Sequence, residues 1–138
     1  MNWKEKCFSA LNAEKMFESY EHSTRFQELV DCYSGYPFFT KELCKCIYLS
    51  AWDEEHFCIM LETLTDLSLG REKNTDEMRE KGDFLAEEQT DGEYYVYHLS
   101  NAFLDGKPFD MELPESLDAG FRYIINRALK ASAIIDQL

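Results

Sequence analysis

Apolar residues recur at three- and four-residue spacing along most of the chain, the spacing typical of amphipathic α-helices. This spacing predicts a first short helix between Trp3 and Leu11 and a second helix between Phe26 and Tyr33. The second helix is expected to end near Gly35, because glycine is the residue that most often follows a helix C-terminus. The first quarter of the chain therefore predicts two helices.

Two helices with clearer start signals follow. Thr40 is a predicted N-cap for a third helix over 41–51, whose apolar residues share one broad arc of a helical wheel. Ser50 lies three residues before Asp53 in a near capping-box pattern. We therefore expect a fourth helix over 51–69.

The segment from 71 to 93 has a different pattern, in which charged residues dominate and apolar anchors are few. Glycines at 82 and 92 interrupt any helical period, so the segment is predicted to be an exposed connection, either partly helical or disordered. Helical spacing returns in "EYYVYHLSNAFLDG", although "YYVY" suits a strand on propensity alone. A last helix over 115–137, opened by Pro114, has the strongest amphipathic pattern in the chain.

Together these elements predict an all-α fold. We expect one domain over residues 1–138, a single compact bundle of five or six helices with a charged connection around 71–93. The helices at 51–69 and 115–137 are expected to form the centre of its core. A chain of 138 residues with 45% hydrophobic and 14% aromatic content is large enough to bury one such core.

The charge balance narrows the classes of partner. With 27 Asp and Glu against 14 Lys and Arg, the formal charge is −13, which repels nucleic-acid phosphate and anionic membranes. We therefore predict no direct binding to either, and a basic protein surface as the favoured partner; solubility is the alternative explanation of the charge.

The odd number of five cysteines favours reduced thiols, and we find neither a secretory signal nor a spanning segment, so the predicted location is cytoplasmic.

The stretch "SAWDEEHFC" at 50–58 has the residue types of a reactive site. At about 100 degrees per residue on a helix, His56 and Cys58 flank opposite sides of the core stripe, so they form no local site. By the same geometry Cys44 faces inward and Cys46 outward. The four residues have a superficially zinc-like spacing, but zinc motifs usually place C-x₂₋₄-C on a turn, and these lie in helical runs. Structural thiols are the favoured interpretation.

No Gly-rich catalytic turn, phosphate-cradling loop or H-E-x-x-H motif occurs. We therefore predict no catalytic residue, no cofactor and no metal ion. The first alternative is a cysteine and histidine enzyme, or a zinc-binding protein, built on Cys44, Cys58 and His56. A homodimer of structural role is the second, with an interface formed by Tyr94, Tyr95 and Tyr97.

The carboxylates of the predicted fourth helix form a pattern of their own. Glu55, Glu62 and Asp66 cluster opposite its core stripe, and no Lys or Arg occurs between Lys45 and Arg71. This face is predicted to be purely acidic. It is either a docking surface for a basic partner or a solvated face without a partner.

A second acidic region lies in the late loop "DGKPFDMELPESLD", where apolar residues alternate with charge. Apolar anchors combined with steering charges are typical of a recognition segment. The residues predicted to contact a partner there are Asp105, Phe109, Asp110 and Glu112. The alternative is that the apolar residues of this loop close the protein's own core.

The segments "EHSTRFQEL", "ELCKCIYLSAW", "LSNAFLDGKPF" and "LPESLDAGFRYIINRAL" resemble small all-helical proteins of unknown function from Firmicutes and their mobile elements. The resemblance implies a binder that blocks or regulates a larger protein, a class that includes phage-encoded inhibitors of CRISPR nucleases. It carries over no site residues. The predicted function is a non-enzymatic acidic interaction module that docks on a basic, nucleic-acid-binding surface of a partner protein.

Overall fold

The computed structural model describes residues 2–88 and 91–138. Every regular element within them is an α-helix, which confirms the predicted all-α class. These residues form seven helices, where five or six were predicted, and none of them is long and apolar enough to cross a membrane. The helices are α1 (Trp3–Ala13), α2 (Tyr20–Tyr33), α3 (Lys41–Ser50), α4 (Glu54–Ser68), α5 (Asp76–Glu88), α6 (Asp91–Asp105) and α7 (Ala119–Asp136).

The additional helix is α5, which lies inside the segment predicted to be a charged connection. Met78 of α5 is buried, and Gly82 lies so close to α6 that a Cβ on it would be 3.1 Å from the ring of Tyr97. The glycine therefore allows α5 to approach α6 instead of interrupting a helix. The segment is therefore partly helical, as one of the two alternatives for 71–93 predicted. The interruption predicted at Gly82 was wrong, because the contact that orders α5 comes from α6, which the local pattern does not reveal.

Two helices start at residues other than those predicted. Asp53, not Ser50, is the N-cap of α4, and its Oδ1 accepts the backbone N–H of His56 at 2.8 Å. Asp118 caps α7 and accepts the N–H of Gly120 at 2.9 Å, so this helix starts later than predicted. In both places an aspartate determines the start, since an ionised carboxylate satisfies an N-terminal N–H and interacts favourably with the helix dipole.

The centre of the core is α3, where α4 was predicted. α3 contacts α2, α4, α6 and α7, and six of its ten residues are buried. A short helix that is apolar on nearly all sides needs neighbours on all sides. α7, the other helix predicted to be central, packs against α1, α3 and α6. α4 buries three of its fifteen residues and lies between α2, α3 and the outermost helix, α5.

Lysines and arginines that are distant in sequence stabilise the C-terminal ends of several helices. None of the seven described helices has a basic residue in its last turn. Instead, Lys4 donates to the Ser34 carbonyl after α2 at 2.8 Å, and Arg25 donates to the Ala51 and Trp52 carbonyls after α3 at 3.2 and 3.3 Å. Arg127 plays the same role at the Lys15 carbonyl, and Lys41 donates to a main-chain oxygen of Leu138, after α7. These four cations contact main-chain oxygens instead of side-chain carboxylates.

Candidate functional site

Negative charge is concentrated in one part of the chain. Residues 53–93, which include α4, α5 and the start of α6, contain 14 of the 27 acidic residues but four of the 14 lysines and arginines. This part has a formal charge of −10, which leaves −3 for the rest of the chain. The electrostatic field of the protein is therefore strongly asymmetric, with its negative end at α4 and α5.

The outer side of α5 has an acidic stripe. Asp76, Glu80, Asp83 and Glu87 recur at four- and three-residue spacing, so they share one face of the helix, and all four are exposed. We call these four residues the acidic stripe. These residues were not predicted as a unit because their segment has the composition of a connection, although their spacing was the signal that could have revealed them.

The acidic face predicted on α4 turns toward α5 and the loop after α4. Glu55 is exposed. Glu62 Oε2 lies 2.9 Å from Lys81 Nζ of α5, and Asp66 Oδ1 lies 3.7 Å from Arg71 Nη1. Cations therefore partly neutralise two of the three predicted carboxylates, and the acidic stripe is the more open surface.

An apolar groove separates the two acidic helices. Ile59 of α4 and Phe84 and Leu85 of α5 form its walls, and Glu77, Glu80 and Lys81 complete its lining. It has a volume of about 400 Å³, and Phe84 is 61% exposed within it. We call it the α4–α5 groove. An exposed aromatic side chain beside carboxylates is a combination typical of protein docking surfaces.

The second predicted region lies after α6. Asp105 Oδ1 accepts a hydrogen bond from Arg79 of α5 at 2.8 Å, which holds the pKa of this carboxyl below its usual range. Phe109 is half-buried and packs against the core, whereas Asp110 and Glu112 are exposed. The aromatic residue of the loop therefore packs inward, as the core-closing alternative predicts. Two of its carboxylates face solvent.

His56, the histidine of the "SAWDEEHFC" stretch, lies between two carboxylates. Its Nδ1 is 2.7 Å from Asp53 Oδ1 and its Nε2 is 3.1 Å from Glu93 Oε2. Burial lowers the pKa of His56, but the hydrogen bonds and charges of the two carboxylates outweigh it and raise the pKa to about 10. The imidazole is therefore a cation at neutral pH, with both N–H groups donated. It links the starts of α4 and α6 and has no nitrogen free to act as a base or to bind a metal.

A small cavity lies beside this histidine, between α4, α5 and α6. His56, Arg79 and Glu93 are among its polar lining residues, and Leu49 and Met78 are among the apolar ones. The space that water reaches inside it is about 50 Å³, enough for a few water molecules. A cavity of this size belongs to the packing of α5 on the bundle.

The thiols are dispersed. Cys44 packs with Cys7 of α1, and a hydrogen bond between them and burial raise the pKa of Cys44. Cys46 was predicted to face outward, but it is buried against α6, where it donates to the Ser100 carbonyl and burial raises its pKa to about 12. Cys58 is exposed.

Across residues 2–88 and 91–138, no three His, Cys, Asp or Glu side chains are arranged to hold a metal ion.

The three tyrosines predicted to form a self-interface have different environments. Tyr94 is 45% exposed and lies against His98, with ring centroids 4.4 Å apart. Tyr95 is half-buried and packs against the core, and Tyr97 contacts Gly82 of α5. Only Tyr94 of the three is exposed, so they do not form one continuous surface patch.

No family model, curated protein or solved structure matches this chain.

Proposed function

We propose that this protein is an acidic interaction module that docks on a basic surface of a partner protein. The docking surface consists of the acidic stripe and the α4–α5 groove, with Glu55 and Glu62 at its α4 side. Asp105, Asp110 and Glu112 extend it beyond α6. The observation that carries this proposal is the charge of −10 in residues 53–93.

The use of the cations supports this proposal. Four of the 14 lysines and arginines bind main-chain oxygens that follow helix ends and not the carboxylates of the acidic stripe. Within the acidic part, Arg79 and Lys81 are held in ion pairs. The field of the acidic stripe is thus left to attract an external positive surface, and such steering raises association rates most at low salt.

Crowding among the carboxylates gives further support. The pKa of Glu72, which lies in the loop before α5, is raised because its protonated carboxyl donates a hydrogen bond to Glu77 and because neighbouring acids repel its charged form. Acidic residues that repel each other in the free protein have a more favourable electrostatic energy when a positive surface approaches them. A docked basic partner therefore relieves this repulsion.

The form of partner that we favour is a protein whose basic surface binds nucleic acid. A module with a dense array of carboxylates competes for the lysines and arginines that contact phosphate. Docking then blocks nucleic-acid binding, which is how an inhibitor from a phage or mobile element would act on a nuclease. This narrower role follows from the resemblance named above and is proposed on that basis.

A pair of charge-matched variants tests the proposal. In the first variant the acidic stripe is neutralised (Asp76→Asn, Glu80→Gln, Asp83→Asn, Glu87→Gln). In the control, four exposed carboxylates of the N-terminal region are neutralised (Glu14→Gln, Glu18→Gln, Glu21→Gln, Glu28→Gln). The partner, isolated from the native host on the immobilised protein and then purified, is titrated with each variant by calorimetry at several salt concentrations.

We expect the stripe variant to bind about tenfold more weakly than the control variant, since each exposed charge pair contributes roughly 0.3–0.5 kcal/mol. The affinity of the unmodified protein is expected to fall steeply with salt, and DNA or RNA is expected to compete for the partner. An affinity indifferent to salt, or equal losses in the two variants, would contradict the proposal.

A further inference from the structure

The α4–α5 groove already holds one cation from the chain itself. Lys81 lines the groove, and its Nζ lies 2.9 Å from Glu62 Oε2 on α4 and 3.5 Å from Glu77 Oε1 on α5. Its aliphatic stem lies in a groove walled by apolar side chains, and its charge reaches carboxylates on both helices. Long cationic side chains bury their stems and keep the charged head paired in this way.

Two further lining residues of the groove, Glu80 and Phe84, supply a second carboxylate and a second apolar side chain on α5. Glu80 lies one helical turn before Phe84, so the carboxylate and the exposed ring are neighbours on the same side of α5. Among the described residues, the ion pairs of Lys81 engage Glu62 and Glu77 but not Glu80. Phe84, 61% exposed, is available as an aromatic platform.

We propose that the α4–α5 groove receives an arginine side chain of the basic partner at Glu80 and Phe84, with its guanidinium over the Phe84 ring and its charge beside Glu80. The proposal rests on the proposed function and specifies the chemistry of the partner. Arginine fits better than lysine because its planar, weakly hydrated guanidinium stacks on an aromatic face and donates two parallel hydrogen bonds to a carboxylate. A lysine would pair with the charge of Glu80 but would not stack on the Phe84 ring in the same way.

Short capped peptides of six arginines or six lysines are the probes for this test. Each is titrated at low salt into the full-length protein, and binding is followed by NMR through the methyl groups of Ile59 and Leu85. Five proteins are compared: the unmodified chain, Phe84→Ala, Tyr20→Ala, Lys81→Gln and Lys130→Gln. Tyr20 is a matched control, since it is an aromatic residue 80% exposed on α2, outside the groove.

We expect hexa-arginine to bind about threefold more tightly than hexa-lysine, the ratio that an exposed cation–π contact of roughly 0.6 kcal/mol gives. Phe84→Ala is expected to remove this preference, and Tyr20→Ala to leave it unchanged. Lys81→Gln frees Glu62 and Glu77, so both peptides are expected to bind more tightly to it than to Lys130→Gln, which changes the charge equally outside the groove.

The outcomes separate this inference from the proposed function. Equal affinity of the two peptides, or an arginine preference that survives Phe84→Ala, would overturn the arginine site while salt-dependent docking on a basic partner stands. If neither peptide binds at low salt, the proposed function itself fails. An arginine preference that is lost in Phe84→Ala but kept in Tyr20→Ala supports both.

Discussion

Replacement of Gly92 by alanine is expected to lower the free energy of unfolding by about 2–3 kcal/mol. Gly92 is buried in the first turn of α6, and a Cβ there would lie 2.1 Å from Cδ2 and 2.3 Å from Cγ of Phe121 in α7. Because Cγ is the base of the ring, rotation of the ring does not relieve the overlap, and the packing of α6 on α7 must shift. The better helix propensity of alanine offsets only about 1 kcal/mol of this strain.

Urea unfolding of three variants checks this expectation. Gly35→Ala is the control, since a Cβ on Gly35 meets no atom within 4 Å, and we expect its stability to stay within about 0.5 kcal/mol of the unmodified protein. Adding Phe121→Leu to Gly92→Ala is expected to restore part of the loss, because the smaller side chain makes room for the methyl group. A Gly92→Ala variant as stable as the control would show that α6 and α7 do not pack this closely.

Acidification from pH 6.5 to pH 4 is expected to lower the stability by up to about 3 kcal/mol through one residue, His22. This side chain is fully buried; its Nε2–H donates to the Tyr48 carbonyl at 2.9 Å, and its Nδ1 accepts the Glu18 N–H at 3.1 Å. Burial, together with the charges of Arg25 and Arg127, lowers the pKa of His22 from 6.5 to about 4.

The direction of this change in stability with pH follows from the number of protons that the folded and the unfolded chain bind. Between pH 6.5 and 4 the unfolded chain binds a proton at His22 and the folded chain does not, so stability falls as the pH falls and this contribution is constant below pH 4. In a His22→Gln variant this part of the pH dependence is expected to be absent, although the baseline stability is lower. Parallel stability curves for the two proteins from pH 7 to pH 4 would contradict the assignment to His22.

Local signals predicted much of the fold. The helical periods around Leu11, Leu29 and Ile47 lie in α1, α2 and α3, and Thr40 caps α3 as predicted, accepting the Leu43 N–H at 3.2 Å. These features depend on residues within one or two turns, so the sequence alone was sufficient. The starts of α4 and α7 were misplaced because Ser50 and Pro114 were taken as their start signals, whereas an aspartate further along the chain forms the capping contact in each case.

The candidate site was only partly predictable. The sequence indicated an acidic α4, but it did not show that Lys81 lies against Glu62 or that Arg79 lies against Asp105. These ion pairs join residues 19 or more positions apart, and no periodicity within one helix predicts them. The acidic stripe was readable from its spacing, but only after its segment was recognised as a helix.

By itself, the sequence determined the all-α class, the approximate positions of most helices and the charge of −13. Amphipathic spacing and capping act within a few residues, and net charge is a property of composition alone. Only the tertiary structure decided that α3 is central, that residues 76–88 form a helix and that the cations are held at helix ends and in ion pairs. Those outcomes depend on contacts between distant segments, such as Gly82 with Tyr97, which form when the helices pack together.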